Sequence, residues 1–297
     1  MPSNLAYITY RILGGVTGRL PPVAGYWLAS RVGRLMYHLS PGLRRTVGHN
    51  IRHVLGPDAQ EEQVQALVRQ ACVHMIKGHF DLFRLRRLTR EQIRAMLHIE
   101  GEENLDQALA QGRGAIVISA HLGNVEIAMQ LPLIYGVPMT AAIQHIQPER
   151  LFRYVLSLRQ SHGLRFIPSD EPMIGLFRAL KRGELICLPC DRDIADSGRV
   201  IDFFGSPTRL SDGALWVAQR TRAPVIPAFA TCLADGTFAL QIEPALHLPH
   251  TGDREADVAA WMKIVVAVME RHIAMHPEQW LVAAPVWPMD TSSTDRG

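Results

Sequence analysis

This sequence predicts an α/β fold in which helices cover both faces of a mostly parallel central sheet and a helical segment comes first. Three observations carry that expectation. From Leu97 onward short apolar runs alternate with stretches of helical period. Runs such as Gly114-Ala-Ile-Val-Ile-Ser-Ala120 and Glu184-Leu-Ile-Cys-Leu188 are apolar almost throughout, as strands covered on both faces must be. Before Leu97 the pattern is helical only.

The elements follow in order. Residues 2 to 94 read as helices. Apolar residues recur at helical spacing between Leu5 and Leu20 and again between Val23 and Leu39, with arginines among them, and Pro21-Pro22 breaks the run. Such a hairpin of helices would either pack on the core or lie in a lipid headgroup layer. A longer periodic helix spans about 61 to 85. The core then reads as strand 97–100, helix 102–111, strand 114–120, helix 124–135, strand 138–143 and helix 148–162. Strand 164–167, helix 171–182, strands 184–189 and 199–204, helix 211–222, strands 224–230 and 237–242, and helix 254–275 complete it. The expected organisation is a membrane-contacting helical segment at 1–95, a compact core at 96–290 and a disordered tail at 291–297.

At 297 residues and 47% hydrophobic, the chain can bury a large core. Net charge is only +3, yet Arg11, Arg19, Arg31, Arg34, Arg44 and Arg45 crowd its first 45 residues. Basic residues near an anionic bilayer contribute about 1 kcal/mol each. Nucleic acid is disfavoured as a partner, because Leu, Ile, Val, Tyr and Trp separate these arginines and no nucleic-acid motif accompanies them. The uncharged run from Leu20 to Ser30 is far shorter than the roughly 18 to 20 residues a spanning helix needs, and Pro132, Gly136 and Pro138 interrupt the run from Ile127 to Pro148. Met1-Pro-Ser-Asn-Leu5 does not read as a secretory signal. The expectation is a peripheral or monotopic protein on the cytoplasmic face of the inner membrane. Cys72, Cys187, Cys190 and Cys232 are scattered in apolar settings, as reduced cysteines are. Cys187-Leu-Pro-Cys190 continues a strand and has no second pair to complete a zinc site, and no His-Glu-x-x-His occurs. Neither a metal nor a cofactor is expected.

The chemistry concentrates at His121-Leu-Gly-Asn-Val-Glu126, directly after the run 114–120. An imidazole, with an ordinary pKa of about 6.5, can take a proton from an alcohol if its other nitrogen is held in the right tautomer. Residues five apart do not share a helix face, so His121 belongs in the turn and Glu126 in the first helical turns. Gly123 permits close backbone approach and Asn124 is a competent N-cap. Glu126 is the expected partner that holds the imidazole. Ligands of open α/β sheets bind beyond the carboxyl ends of strands, so His121 and Asp191, which both follow strand runs, are expected to converge.

Ser119-Ala-His-Leu-Gly-Asn-Val-Glu126 resembles the His-x4-Glu/Asp block of the bacterial lipid A biosynthesis acyltransferases, within the glycerolipid acyltransferase-like superfamily. Gln147-Pro-Glu149 with Leu151-Phe-Arg153 resembles a segment of the phosphatidylinositol mannoside acyltransferase branch. Asp191-Arg-Asp193, Asp202-Phe-Phe-Gly205 with Thr208-Arg209, Pro224-Val-Ile-Pro227 and Pro277-Glu-Gln-Trp280 resemble further family blocks in the same order. Two features depart from the pattern. Val125 stands where the family usually has tryptophan, and Trp280-Leu-Val-Ala-Ala-Pro-Val-Trp287 lacks the His-Arg-Arg-Trp run of the lipid A enzymes.

The resemblance implies a glycerolipid acyltransferase-like fold and transfer of a fatty acyl group from a thioester, acyl-coenzyme A or acyl-carrier protein, to a hydroxyl of a glycolipid or phospholipid. His121 and Glu126 would be catalytic. Asn124, Glu149, Arg153, Asp191, Arg192 and Arg209 would contact substrates, Arg153 and Arg209 through phosphate oxygens. Phe203 and Phe204 would be core or a wall of the acyl channel. The chain lacks a Gly-x-Ser-x-Gly elbow, so direct attack by the acceptor is expected rather than an acyl-serine, with amides at the helix start after Gly123 as part of an oxyanion hole. The alternatives are a thioesterase or lipid hydrolase that uses the same base on water, and a non-catalytic lipid-binding relative.

Overall fold

The computed structural model describes residues 2–194 and 196–289; the tail expected at 291–297 lies outside the described residues. The leading helices are α1 (Pro2–Thr17), α2 (Pro22–Leu39), α3 (Pro41–Leu55), α4 (Glu61–Arg84) and α5 (Arg90–Met96). There follow β1 (Leu97–Glu100), α6 (Glu102–Leu109), β2 (Ala115–Ser119), α7 (Val125–Ala128), α8 (Leu131–Tyr135), β3 (Met139–Ile143), α9 (Glu149–Arg159), β4 (Arg165–Pro168) and α10 (Ile174–Lys181). The chain continues through β5 (Leu185–Pro189), β6 (Arg199–Phe203), β7 (Ser206–Leu210), α11 (Gly213–Thr221), β8 (Val225–Cys232), β9 (Phe238–Ile242) and α12 (Arg254–Met275).

Seven strands form one sheet in the order β1-β9-β8-β2-β5-β3-β4, parallel except where β8 meets β9. Central β2 is flanked by β5 and β8, which is why Ala115-Ile-Val-Ile118 reads as continuously apolar. Alternation along that strand feeds two cores. Ile116 and Ile118 join Leu176, Leu215, Trp261 and Met269 on one face, while Ala115 and Val117 join Ile93, Leu105, Ile127 and Leu131 on the other.

Two expectations are corrected. The helix read over 124–135 is divided into α7 and α8, because the Pro132 ring conflicts with the carbonyl four residues back, that of Ala128, where α7 ends. The run at 199–204 has an antiparallel return strand, β7, joined to β6 through Phe204 and Gly205, whose φ angles are 49° and 72°. A two-residue hairpin turn demands such angles. Ser206-Pro-Thr-Arg-Leu210 lacks an apolar run, and its proline is tolerated only because this ribbon has an open edge.

Helix α2 packs on α4 through its smallest residues. Gly25, Ala29 and Gly33 are buried with Tyr37. A Cβ at Gly25 would lie 2.0 Å from the Phe80 ring, and one at Gly33 would lie 2.5 Å from the Val73 Cα. The large apolar residues point the other way: Val23, Trp27, Leu35 and Leu39 are exposed, as are Leu5, Ile12 and Val16 of α1. A water-facing helix would show the opposite polarity.

Candidate active site

Strand register builds the centre. Ser119 of β2 pairs with Pro189 of β5, so two further residues along each parallel strand bring His121 beside Asp191. The His121 Nδ1–H donates to Asp191 Oδ1 at 2.8 Å, and the His121 backbone N–H donates to Asp191 Oδ2 at 2.8 Å. The Trp280 indole N–H donates to the same Oδ2 at 2.8 Å. Asp191 is fully buried. Burial alone would raise its pKa, but the His121 ring beside it and these three N–H donors outweigh burial and hold the carboxyl below its ordinary range. An ionised Asp191 fixes the imidazole proton on Nδ1 and leaves the Nε2 lone pair to act as a base.

The turn that carries His121 is strapped from the chain's end. Gly123 N–H donates to Gln279 O at 2.8 Å, and Leu281 N–H donates to His121 O at 2.8 Å. Gly123 has φ 63°, and a Cβ there would meet Ala230 O at 2.2 Å, so only glycine fits. Asn124 caps α7, its Oδ1 accepting from the amides of Glu126 and Ile127 at 3.2 and 3.3 Å. The amides of Gly123, Glu126 and Ile127 are thereby engaged, so the oxyanion hole expected at the start of α7 does not come from these three.

Glu126 is not the partner of the imidazole. Its carboxylate accepts from Arg159 Nε at 2.9 and 3.1 Å and from Arg159 Nη2. Arg159 was not singled out in the sequence, although it continues the inward stripe of Phe152 and Val155 on α9, where a lone arginine requires a buried anion. Burial would lower the Arg159 pKa; the charge of Glu126 more than offsets this and holds it above its ordinary range.

His121, Asn124, Val125, Glu126, Arg159 and Arg192 all line one cavity of about 1310 Å³. That exceeds the roughly 300–1,000 Å³ of a site for a compact small molecule. Its walls are largely apolar and reach both faces of the sheet, with Val117, Met139 and Ala141 on one side and Leu176, Phe177 and Val217 on the other. Val125 lines the cavity beside His121.

The model of the bacterial lipid A biosynthesis acyltransferase family matches residues 2–288. The chain belongs to that family. As a lipid A biosynthesis acyltransferase family member it is a lipid acyltransferase. A phosphatidylinositol mannoside acyltransferase of Mycobacterium tuberculosis is 31% identical over 224 residues, covering 73% of this chain and 68% of that protein. A lipid A biosynthesis acyltransferase of Haemophilus influenzae is 21% identical over 280 residues, covering 93% and 82%. The crystal structure of the 1-acyl-sn-glycerophosphate acyltransferase PlsC from Thermotoga maritima aligns with 88% of this chain and 99% of that one, at 13% identity and a TM-score of 0.40.

In this lipid A biosynthesis acyltransferase family member not every expected contact reaches the cavity. Glu149 bonds His145 at 2.7 Å and Arg153 at 2.6 Å on the surface, and neither Glu149 nor Arg153 lines the cavity. Arg209 donates to Gly198 O at 2.6 Å from the outer side of β7. Phe203 is core, stacked on Trp287, rather than channel wall. Cys190 is buried and its thiol pKa is pushed up by burial and then by Asp191, so it is no thiolate nucleophile. Among the described residues no cluster could hold a metal. Trp280 gained no role from the sequence, although a buried indole N–H usually finds an acceptor.

Proposed function

We propose that the protein transfers a fatty acyl group from an acyl thioester, of coenzyme A or a carrier protein, to a hydroxyl of a membrane glycolipid or phospholipid. The observation that supports this above all is the His121–Asp191 pair, set at the wall of an apolar cavity large enough for lipid chains. His121 Nε2 takes the acceptor's hydroxyl proton as its oxygen attacks the thioester carbonyl. The C–S bond breaks on collapse, and the imidazolium returns its proton to the departing sulfur. Asp191 remains ionised and keeps the ring in register throughout. Glu126 acts through Arg159, fixing α7 against α9, and Arg192 meets anionic groups of the substrates. A mannosylated phosphoinositide is the favoured acceptor, given the mycobacterial relatives and the tail without His-Arg-Arg-Trp.

The outward apolar faces of α1 and α2, flanked by Arg11, Arg19, Arg31 and Arg34, suit the cytoplasmic face of an anionic bilayer. No described helix is long and apolar enough to cross one. The test is purified enzyme with palmitoyl-coenzyme A and vesicles that contain either mannosylated phosphatidylinositol or a lipid A precursor, followed by mass spectrometry. Acylated mannoside that disappears in His121→Ala is the expected result. Free palmitate without acylated lipid would instead identify a hydrolase.

A further inference from the structure

One buried cluster is unused by the chemistry above. Asp81 of α4 is fully buried, and its carboxylate gathers donors from three elements. Tyr26 O–H of α2 donates at 2.9 and 3.2 Å, Arg84 Nε of α4 at 2.8 Å, and Asn124 Nδ2 of the catalytic turn at 2.5 Å. Arg84 Nη2 in turn donates to Tyr26 Oη at 3.1 Å. The direction of every bond is fixed: Asn124 already spends its carbonyl on α7, so its amino group must find an acceptor, and only an anion satisfies all three donors at once. Asn is therefore a better cap here than Asp, whose charge would face Asp81.

Tyr26 flanks the buried Gly25-Ala29-Gly33 stripe of a helix whose outward side carries Trp27 and Val23. We propose that Asp81 is a positioning residue that ties this outward helix to the turn bearing His121, so that seating of the hairpin on lipid sets how well the base is aligned; this rests on the membrane reading of α1 and α2. Asp81 touches no substrate, for it does not line the cavity. A load on α2 reaches Asn124 through two hydrogen bonds, and a shift of about 1 Å in a catalytic group can lower turnover by about a hundred-fold.

The experiment is steady-state kinetics of palmitoyl-coenzyme A transfer, on vesicles and in detergent, for Tyr26→Phe, Asp81→Asn and the double variant. Tyr26→Phe removes one hydroxyl and keeps the ring on Phe80, so it remains readable if Asp81→Asn fails to fold. The expected result is a fall in kcat of about ten-fold on vesicles with KM unchanged, and a double variant no worse than the poorer single one. Wild-type kcat in Tyr26→Phe, a change confined to KM, or multiplied losses in the double variant would overturn the proposal. Trp27→Glu with Leu35→Glu separates the underlying reading. If that variant still binds vesicles, the bilayer assignment fails, while the detergent kcat values still judge Asp81.

Discussion

At the residue scale, the two acidic groups near His121 have separate tasks. Asp191 holds the His121 ring through Nδ1, whereas Glu126 pairs with Arg159. Replacing Asp191 by Asn leaves a side chain of the same shape that no longer enforces Nδ1–H, and kcat is expected to fall by about 10³–10⁴-fold. The same variant loses a pH dependence of stability. A carboxyl held below its ordinary pKa stabilises the fold fully above about pH 3.9, the unfolded value, and that contribution is lost as pH falls through the lower folded value. Denaturant titrations below pH 4 should therefore show a shallower acid slope in Asp191→Asn. Glu126→Gln leaves the half-buried Arg159 guanidinium without its counter-charge, so its main effect is expected on folding, with a loss of about 1–3 kcal/mol. The His-x4-Glu spacing marked this turn in the sequence, yet the pairing within it depends on strand register. The strand ends announced that His121 and Asp191 meet; the alignment of β2 with β5 adds that Asp191, not Glu126, takes the imidazole.

At the element scale, α2 shows what a periodic pattern leaves open. Apolar residues at helical spacing announce a helix but not which stripe is buried, and here the face chosen is Gly25-Ala29-Gly33 because it lets α2 lie close on α4. The larger stripe of Val23, Trp27 and Leu35 stays outside. Gly33→Leu would drive a side chain into the backbone at Val73 and Cys72, which cannot yield as a flexible side chain could. Overpacking of this kind costs about 1–3 kcal/mol, so the melting temperature should drop by several degrees. With the hairpin seated on lipid as proposed, vesicle binding should fall with it. By contrast Gly42, with nothing near its Cβ, should accept alanine without loss of melting temperature. Alternation of strand and helix from Leu97 was legible because buried parallel strands have no other composition; β7 was not, because a two-stranded ribbon needs no apolar run.

At the scale of the whole molecule, the sheet is a partition with His121 at its rim. His121 stands beyond the carboxyl end of β2, and the cavity continues from it over both faces. That rim is legible in the sequence because His121 directly follows the apolar run 114–120, but the depth of the cavity depends on which side chains on either face are small, and that is a property of packing. Ala141 of β3 is one such position: it is 2% exposed to solvent, lines the cavity, and lies on the same face as Val117 and Met139. Ala141→Leu would fill the space of about three methylenes without touching His121 or Asp191. Each buried methylene contributes about 0.8 kcal/mol, so a chain that needs this space should lose about 2 kcal/mol of binding, a discrimination of about thirty-fold. In a competition among acyl-coenzyme A donors of increasing length, the variant should favour chains about three carbons shorter than the wild type does, with the turnover of the preferred donor retained. If the length profile instead stays the same while every donor slows equally, the acyl chain does not run along this face, and the arm between α10 and α11, walled by Phe177 and Val217, is the one to narrow next.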